Sequence, residues 1–119
     1  MKELVFALEF KGSGIQAAVE STGAGSASFE SEVEIVGEGM FVESGRIRYG
    51  DAGTLSFKTV GRGVLGPSPV AGLQKGAIVW EVTGGDGRLA GAQGLITSNF
   101  TVGEHGEVVD DQFARIFVP

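Results

Sequence analysis

Residues 84–100, GGDGRLAGAQGLITSNF, place a cluster of glycines in front of a long segment rich in small residues. The apolar run Ala77–Val82 precedes them, so the glycines predict a tight turn between two strands. Gly91 and Gly94 would then allow the second strand to bend, or another backbone to approach it closely. This arrangement is typical of a sheet that curls into a small barrel.

The same stretch contains a formal match to a nucleotide-binding motif. Residues 85–90 fit the glycine fingerprint that opens a dinucleotide-binding helix. Such a site needs a helix immediately after the glycines, with its N-terminus facing the pyrophosphate. Gly91, Gly94 and the β-branched pair Ile96-Thr97 favour a strand instead. We therefore interpret the motif as a hairpin turn.

Length and composition indicate a single domain that spans residues 1–119. A chain of this size removes roughly two thirds of its unfolded surface from water, enough for a real core. Its 42% hydrophobic content and eight phenylalanines exclude a disordered chain, and its 21 glycines are too many for a helical bundle. We predict an all-β fold in which glycines separate the strands.

Charge and cysteine content narrow the partners and the chemistry. The formal net charge of −6 repels phosphate backbones and anionic lipid surfaces, so we expect no nucleic acid and no membrane as partner. The sequence has no cysteine, which removes disulfides, thiolate nucleophiles and cysteine-ligated metals. The first ten residues resemble a strand more than a signal peptide, and no run approaches the roughly 18 apolar residues of a membrane helix. We expect a soluble, cytoplasmic protein.

Alternation of apolar and polar residues predicts strands along most of the chain. The glutamates at positions 30, 32 and 34 are expected on the outer face of a half-buried strand. In the next strand we assign Phe41, Ile47 and Tyr49 to one face, and we place Glu43 with the two arginines on the other, across a kink at Ser44-Gly45. The predicted strands are Leu4–Phe10, 26–36, 40–50, 54–60, 77–82, 89–102 and 107–118.

Two segments interrupt the alternation. Residues 64–75 contain two glycines and two prolines, a composition that does not favour a continuous ladder of hydrogen bonds. We predict that they form a loop covering the barrel, with apolar anchors between Leu65 and Leu73. Residues 14–21 have helical spacing, but the segment is short and bracketed by glycines, so a helix is not favoured.

The stretch from Trp80 to Gly94, WEVTGGDGRLAGAQG, resembles the allene oxide cyclase and dirigent-type β-barrels. Those families show a similar strand, Gly-Gly-x-Gly turn and small-residue strand, and bacterial proteins of unassigned function look closer still overall. The resemblance implies a closed antiparallel barrel of about eight strands with an apolar cavity, often assembled as a dimer or trimer. It further implies a small hydrophobic molecule as ligand and, in members that are enzymes, cyclisation without a cofactor. A turn signature carries over the fold more safely than the activity, and it maps no catalytic residue onto this chain.

Metal and nucleophilic catalysis find little support in the sequence. His105 is the only histidine, so a zinc site would lack a second imidazole as well as cysteine. A serine nucleophile would need the same histidine as its base, and no serine lies in a nucleophile elbow. We predict no metal, no cofactor and a solvated His105 in a turn.

The last strand leaves two orientations open. If Val108, Ala114 and Ile116 face the cavity, Asp110 shares that face, and burial would suit its carboxyl group to proton transfer. In the opposite orientation Arg115 lies inside, with Val109, Phe113 and Phe117. Arg115 is otherwise expected to form an ion pair with Glu81 or Asp111.

Other candidate ligand contacts come from polar and aromatic residues of the central strands. Asn99 could hydrogen-bond a carbonyl or hydroxyl group, while Tyr49 and Trp80 combine a large apolar body with a polar tip that suits a cavity wall. Phe57 is expected at the cavity rim. Core packing explains these aromatic residues almost as well. The candidate ligand-binding residues are thus Tyr49, Phe57, Trp80, Asn99, Asp110 and Arg115.

Two functions compete at this point. The first is a barrel that binds a small hydrophobic ligand and, if it is an enzyme, acts as a cofactor-free cyclase or isomerase. The second is a non-catalytic, homo-oligomeric assembly module whose interior is filled by its own phenylalanines. They predict different interiors: a void with convergent polar groups for the first, and a filled core for the second.

Overall fold

The computed structural model describes residues 1–13, 19–21 and 27–119, with only the backbone at residues 13 and 19–21. In these ranges almost all regular structure is strand, and the helical elements are two single 3₁₀ turns, Gly50–Ala52 and Gly87–Leu89. The strands are β1 (Lys2–Ser13), β2 (Val19–Ser21), β3 (Ala27–Gly37), β4 (Met40–Tyr49), β5 (Thr54–Thr59), β6 (Gly63–Pro67), β7 (Gln74–Gly85), β8 (Gln93–Val102) and β9 (Glu107–Val118).

The strands form an antiparallel sheet that closes on itself. β5 and β6 follow one another between β4 and β7 and pair with both, so these four strands form a closed cycle. From β4 the pairing continues outward through β3, β2, β1, β9 and β8, and returns to β7. The predicted all-β class and closed antiparallel barrel are confirmed. Closure leaves few strand edges free to pair with other chains.

Side-chain alternation separates the interior from the surface and decides the orientation of the last two strands. On β9, Asp110, Gln112, Ala114 and Ile116 are buried, whereas Arg115 is exposed. The first of the two predicted orientations is therefore correct. On β8 the corresponding inner residues are Ile96 and Ser98, which lie opposite Ala114 and Gln112. The three glutamates of β3 are exposed, as expected.

One end of the barrel is packed with aromatic and aliphatic side chains. The ring of Tyr49 stacks on Phe6 at 4.0 Å, and Phe57 lies 4.2 Å from Trp80 between ring centroids. Leu89, in the second 3₁₀ turn, is fully buried against this cluster. Each such side chain contributes roughly 1.5–3 kcal/mol by leaving water. The principal hydrophobic stabilisation therefore lies at this end.

The connection between β7 and β8 is wider than the tight turn predicted from the glycines. β7 continues to Gly85, whose backbone pairs with Leu55 of β5, and β8 begins only at Gln93. Residues 86–92 cross between them through the 3₁₀ turn, which is too short for the helix of a dinucleotide site. The expected close approach does occur at Gly94, where a Cβ atom would lie 2.2 Å from the carbonyl oxygen of Arg115.

Half of the loop predicted at residues 64–75 is strand: residues 64–67 belong to β6, and residues 74–75 belong to β7. β6 pairs with β7 from Val64, opposite Ala77, to Pro67, opposite Gln74. Proline is tolerated because it ends β6, where β4 offers no residue opposite it, so only one side of the backbone needs partners. The real turn is residues 68–73, closed by a 3.0 Å hydrogen bond from Ser68 N–H to the Leu73 carbonyl.

Of the segment considered for a short helix, residues 14–18 lie outside the described residues, and Val19–Ser21 form β2. In the part of the chain that the structure describes, no helix is long and apolar enough to cross a membrane.

Candidate functional site

The end of the barrel opposite the aromatic cluster contains a cavity of about 140 Å³. It lies where β3 ends and β4 begins, and inner residues of β1, β3, β4, β6, β7, β8 and β9 contribute to its walls. Ile35 at its edge is 67% exposed, so the cavity opens to solvent at this end. The lining residues are Gly12, Phe29, Ser31, Val33, Ile35, Phe41, Glu43, Leu65, Gln74, Ser98, Phe100, Val102, Val108 and Asp110.

Three phenylalanine rings form much of the apolar wall. Phe41 and Phe100 meet edge to face, with centroids 5.8 Å apart, and Phe29 lies deeper against Trp80. Two glycines make room for the first two rings. A Cβ at Gly76 would lie 2.2 Å from the Phe100 ring, and one at Gly63 would lie 2.5 Å from the Phe41 ring. The positions of the two rings therefore depend on the absence of a side chain at Gly63 of β6 and at Gly76 of β7.

Asp110 places a carboxyl group in this apolar wall. The side chain is 4% exposed; its Oδ1 accepts a 2.6 Å hydrogen bond from the Ser98 hydroxyl, and its Oδ2 accepts a 3.0 Å hydrogen bond from Gln112 Nε2. Burial raises the pKa of Asp110 above its ordinary value, and the two hydrogen bonds offset part of that rise. The carboxyl group is thus fixed in orientation by both neighbours.

Glu43 brings a second carboxyl group into the same cavity from β4. Its Oε2 accepts a hydrogen bond from the Ser31 hydroxyl. The pKa of Glu43 is raised to about 7, because burial and the charge of Asp110 raise it by more than the Ser31 hydrogen bond lowers it. Near neutral pH the pair therefore contains a carboxyl group that readily gains or loses a proton, the property required of a general acid or base.

Our sequence reasoning placed Glu43 outside the barrel, and this assignment was wrong. It assumed a kink at Ser44-Gly45, but the pairing of β4 with β3 and β5 continues through these residues without a register shift. Glu43 consequently stays on the face of Phe41 and Ile47. The signal was present in the sequence, because positions 41, 43 and 47 differ by even numbers.

Of the six candidate ligand-binding residues, only Asp110 lines the cavity. Tyr49, Phe57 and Trp80 are buried in the packed end, where they contribute to the core; burial raises the pKa of Tyr49, and the Trp80 indole N–H has no partner among the described residues. Leu65, expected in a covering loop, lines the cavity from β6 instead.

Asn99 and Arg115 lie on the outer face, because they alternate with the buried residues of β8 and β9. They are therefore not cavity residues. Arg115 does form an ion pair, but with Glu3 of β1 at 2.7 Å, whereas Glu81 pairs with Lys58 at 3.3 Å. A further ion pair joins β3 and β4, since Arg46 Nη2 lies 2.5 Å from Glu30 Oε1. Both faces of the sheet are thus assigned.

His105 is exposed in the link between β8 and β9. Within the described ranges, no three acidic, histidine or cysteine side chains are grouped so that they could hold a metal ion. The chemistry available in the cavity is that of two carboxyl groups, two hydroxyls, the Gln74 amide and an aromatic wall. Comparisons of the chain with family models, curated proteins and solved structures found no match.

Proposed function

We propose that the chain binds a small apolar molecule in the cavity at the open end of its barrel. The observation that carries the proposal is an aromatic cavity with convergent polar groups, Asp110 and Glu43, in a barrel whose other end is filled. A dry apolar cavity of about 150 Å³ is large enough for benzene. The enclosed part of the ligand therefore corresponds to about one ring or a short chain, and anything larger extends through the mouth.

Binding can be tested by titrating the ¹⁵N-labelled protein with toluene and following the amide resonances. We expect saturable shifts at residues that line the cavity, including those near Ser98 and Phe100. The variant Val108→Trp should fill the mouth and abolish the shifts, because Val108 faces inward. Val109→Trp is the matched control, because adjacent side chains on a strand point to opposite faces and Val109 therefore faces away from the cavity. Absence of saturable shifts in the unmodified protein would reject the proposal.

A second candidate function is cofactor-free isomerisation or cyclisation of the bound molecule. The two carboxyl groups favour it, because a carboxylate can remove a proton from carbon and the resulting acid can return it elsewhere. The allene oxide cyclase resemblance points in the same direction.

Proton removal can be tested without knowing the substrate. In D₂O, cyclohexanone exchanges its α-hydrogens through an enolate, and proton NMR follows the loss of that signal. We expect the protein to accelerate exchange and both Glu43→Gln and Asp110→Asn to reduce it. Exchange at the buffer rate would reject catalysis of this kind and leave ligand binding intact.

The filled-core alternative is less well supported. Packing by phenylalanines accounts for the closed end of the barrel, but it does not account for a cavity that contains two carboxyl groups, each with an ordered hydroxyl partner. Burying such groups costs free energy that a purely structural core would avoid.

A further inference from the structure

The two hydroxyl groups of the cavity are turned toward its two carboxyl groups. The Ser31 hydroxyl donates to Glu43, and the Ser98 hydroxyl donates to Asp110, so both hydroxyl protons are already used. The Gln112 amide nitrogen also donates to Asp110. What remains free beside these hydroxyls is the carboxyl oxygens of Glu43 and Asp110, which line the cavity.

The charge of the cavity points the same way. Among the described residues that line it there is no lysine, arginine or histidine, while two carboxyl groups face the same space. Their mutual repulsion and their burial disfavour ionisation of both groups together. A positive charge placed between them would remove this penalty and allow both to ionise.

The aromatic walls suit the same occupant. The faces of phenylalanine rings carry partial negative charge and attract cations at distances within about 6 Å. Phe29, Phe41 and Phe100 line the same cavity as the carboxyl groups and offer hydrocarbon contact to the rest of a ligand. A calcium or magnesium ion fits less well, because it requires six or more oxygen ligands that these rings cannot supply.

We infer that the preferred ligand is a small amine, with its ammonium group between Glu43 and Asp110 and its hydrocarbon part against the three phenylalanine rings. This inference rests on the proposed binding function and names its ligand class. The ammonium N–H groups donate to the two carboxylates, which then both stay ionised. The cavity volume limits the apolar part to about one ring.

Calorimetric titrations with benzylamine and benzyl alcohol at pH 7 test the inference, because the two probes have nearly the same size and differ in charge. We expect benzylamine to bind at least about tenfold more tightly than the alcohol. Glu43→Gln and Asp110→Asn should each reduce this preference to a few-fold or less. Glu34→Gln, which removes an exposed carboxylate from the outer face, should leave it unchanged.

The outcomes separate the inference from the function on which it rests. Equal affinity for the two probes overturns the amine preference but keeps the cavity as a binding site. Failure of both probes rejects both proposals. Benzylamine binding that persists in Val108→Trp places the amine on the acidic surface and overturns the inference. The comparison of probes on the unmodified chain needs no variant to fold.

Discussion

At the scale of single residues, Glu43 makes stability depend on pH in the direction opposite to that of most carboxylates. Its pKa is about 7 in the folded chain and 4.5 when unperturbed, so between these values the folded state holds more protons than the unfolded state. Stability from this group is complete below pH 4.5 and is lost as the pH rises through 7. The loss is about 3 kcal/mol at most.

We expect Glu43→Gln to remove that dependence. The free energy of unfolding in urea, measured from pH 4 to pH 8, should rise for the variant relative to the unmodified chain as the pH increases. Glu34→Gln, on the outer face of β3, should follow the unmodified chain throughout. If Glu43→Gln and the unmodified chain keep a constant difference over this range, the carboxyl group is not buried as described.

Gly94 and Gly84 form a second test at this scale, both within the stretch that indicated a barrel. Gly94 has a φ of 149°, and a Cβ there would lie 2.2 Å from the Arg115 carbonyl oxygen. We expect Gly94→Ala to lower the free energy of unfolding by about 2–4 kcal/mol. Gly84 has nothing within 4 Å of its ideal Cβ, so Gly84→Ala should be nearly neutral or slightly stabilising. Equal losses in urea unfolding would contradict this assignment.

At the scale of elements, alternation predicted β3, β4, β5 and β9 to within a residue or two of their observed ends. It missed β6, because glycine and proline were weighed as local strand breakers. What decides that segment is its pairing with β7 across the turn at residues 68–73: β7 supplies partners for Val64 through Pro67, which the composition of the segment itself does not show. The same limit applies to β7, which extends beyond its predicted ends at both termini.

Hydrogen exchange tests β6 directly. The amides of Val64 and Leu65 should exchange more slowly than those of Ala71 and Gly72. The first two lie in β6, which pairs with β7 and β4, and Leu65 N–H donates to the Gly39 carbonyl, whereas the other two lie in an exposed turn. NMR detection after transfer to D₂O resolves these amides. Uniformly fast exchange over residues 64–72 would contradict β6 and support the loop predicted from the sequence.

At the scale of the whole molecule, the expected homo-oligomer remains a prediction with a definite surface to test. Val5, Leu95 and Phe113 are about half exposed on β1, β8 and β9, which are neighbours in the sheet. They surround Arg115, which lies opposite both Val5 and Leu95 and is paired with Glu3. Exposed apolar side chains grouped on neighbouring strands are typical of protein interfaces. We expect sedimentation equilibrium to give a dimer or trimer, and Phe113→Asp to shift it toward the monomer.

Val64→Asp is the control, because Val64 is similarly exposed but lies on β6, away from that surface. A monomeric unmodified chain, or equal effects of the two substitutions, would contradict the predicted interface.

The class of fold followed from alternation, but the candidate site followed only in part. The sequence left two orientations of the last strand open, and only the burial of alternate residues in the folded barrel places Asp110 inside. The inward position of Glu43 could have been predicted from its even spacing to Phe41 and Ile47, but the assumed kink put it on the wrong face. The volume of the cavity depends on how rings from different strands meet over Gly63 and Gly76, which no local pattern encodes.

One end of the barrel is packed and the other contains a cavity, so substitutions at the two ends are constrained by different requirements. Substitutions among Tyr49, Phe57 and Trp80 are constrained by the need to fold, whereas those around Phe41 and Phe100 can alter the contents of the cavity at a smaller cost to the scaffold. Descendants of such a barrel can therefore diverge in what they hold while sharing one framework. That freedom also makes the open end a practical starting point for designing new receptors.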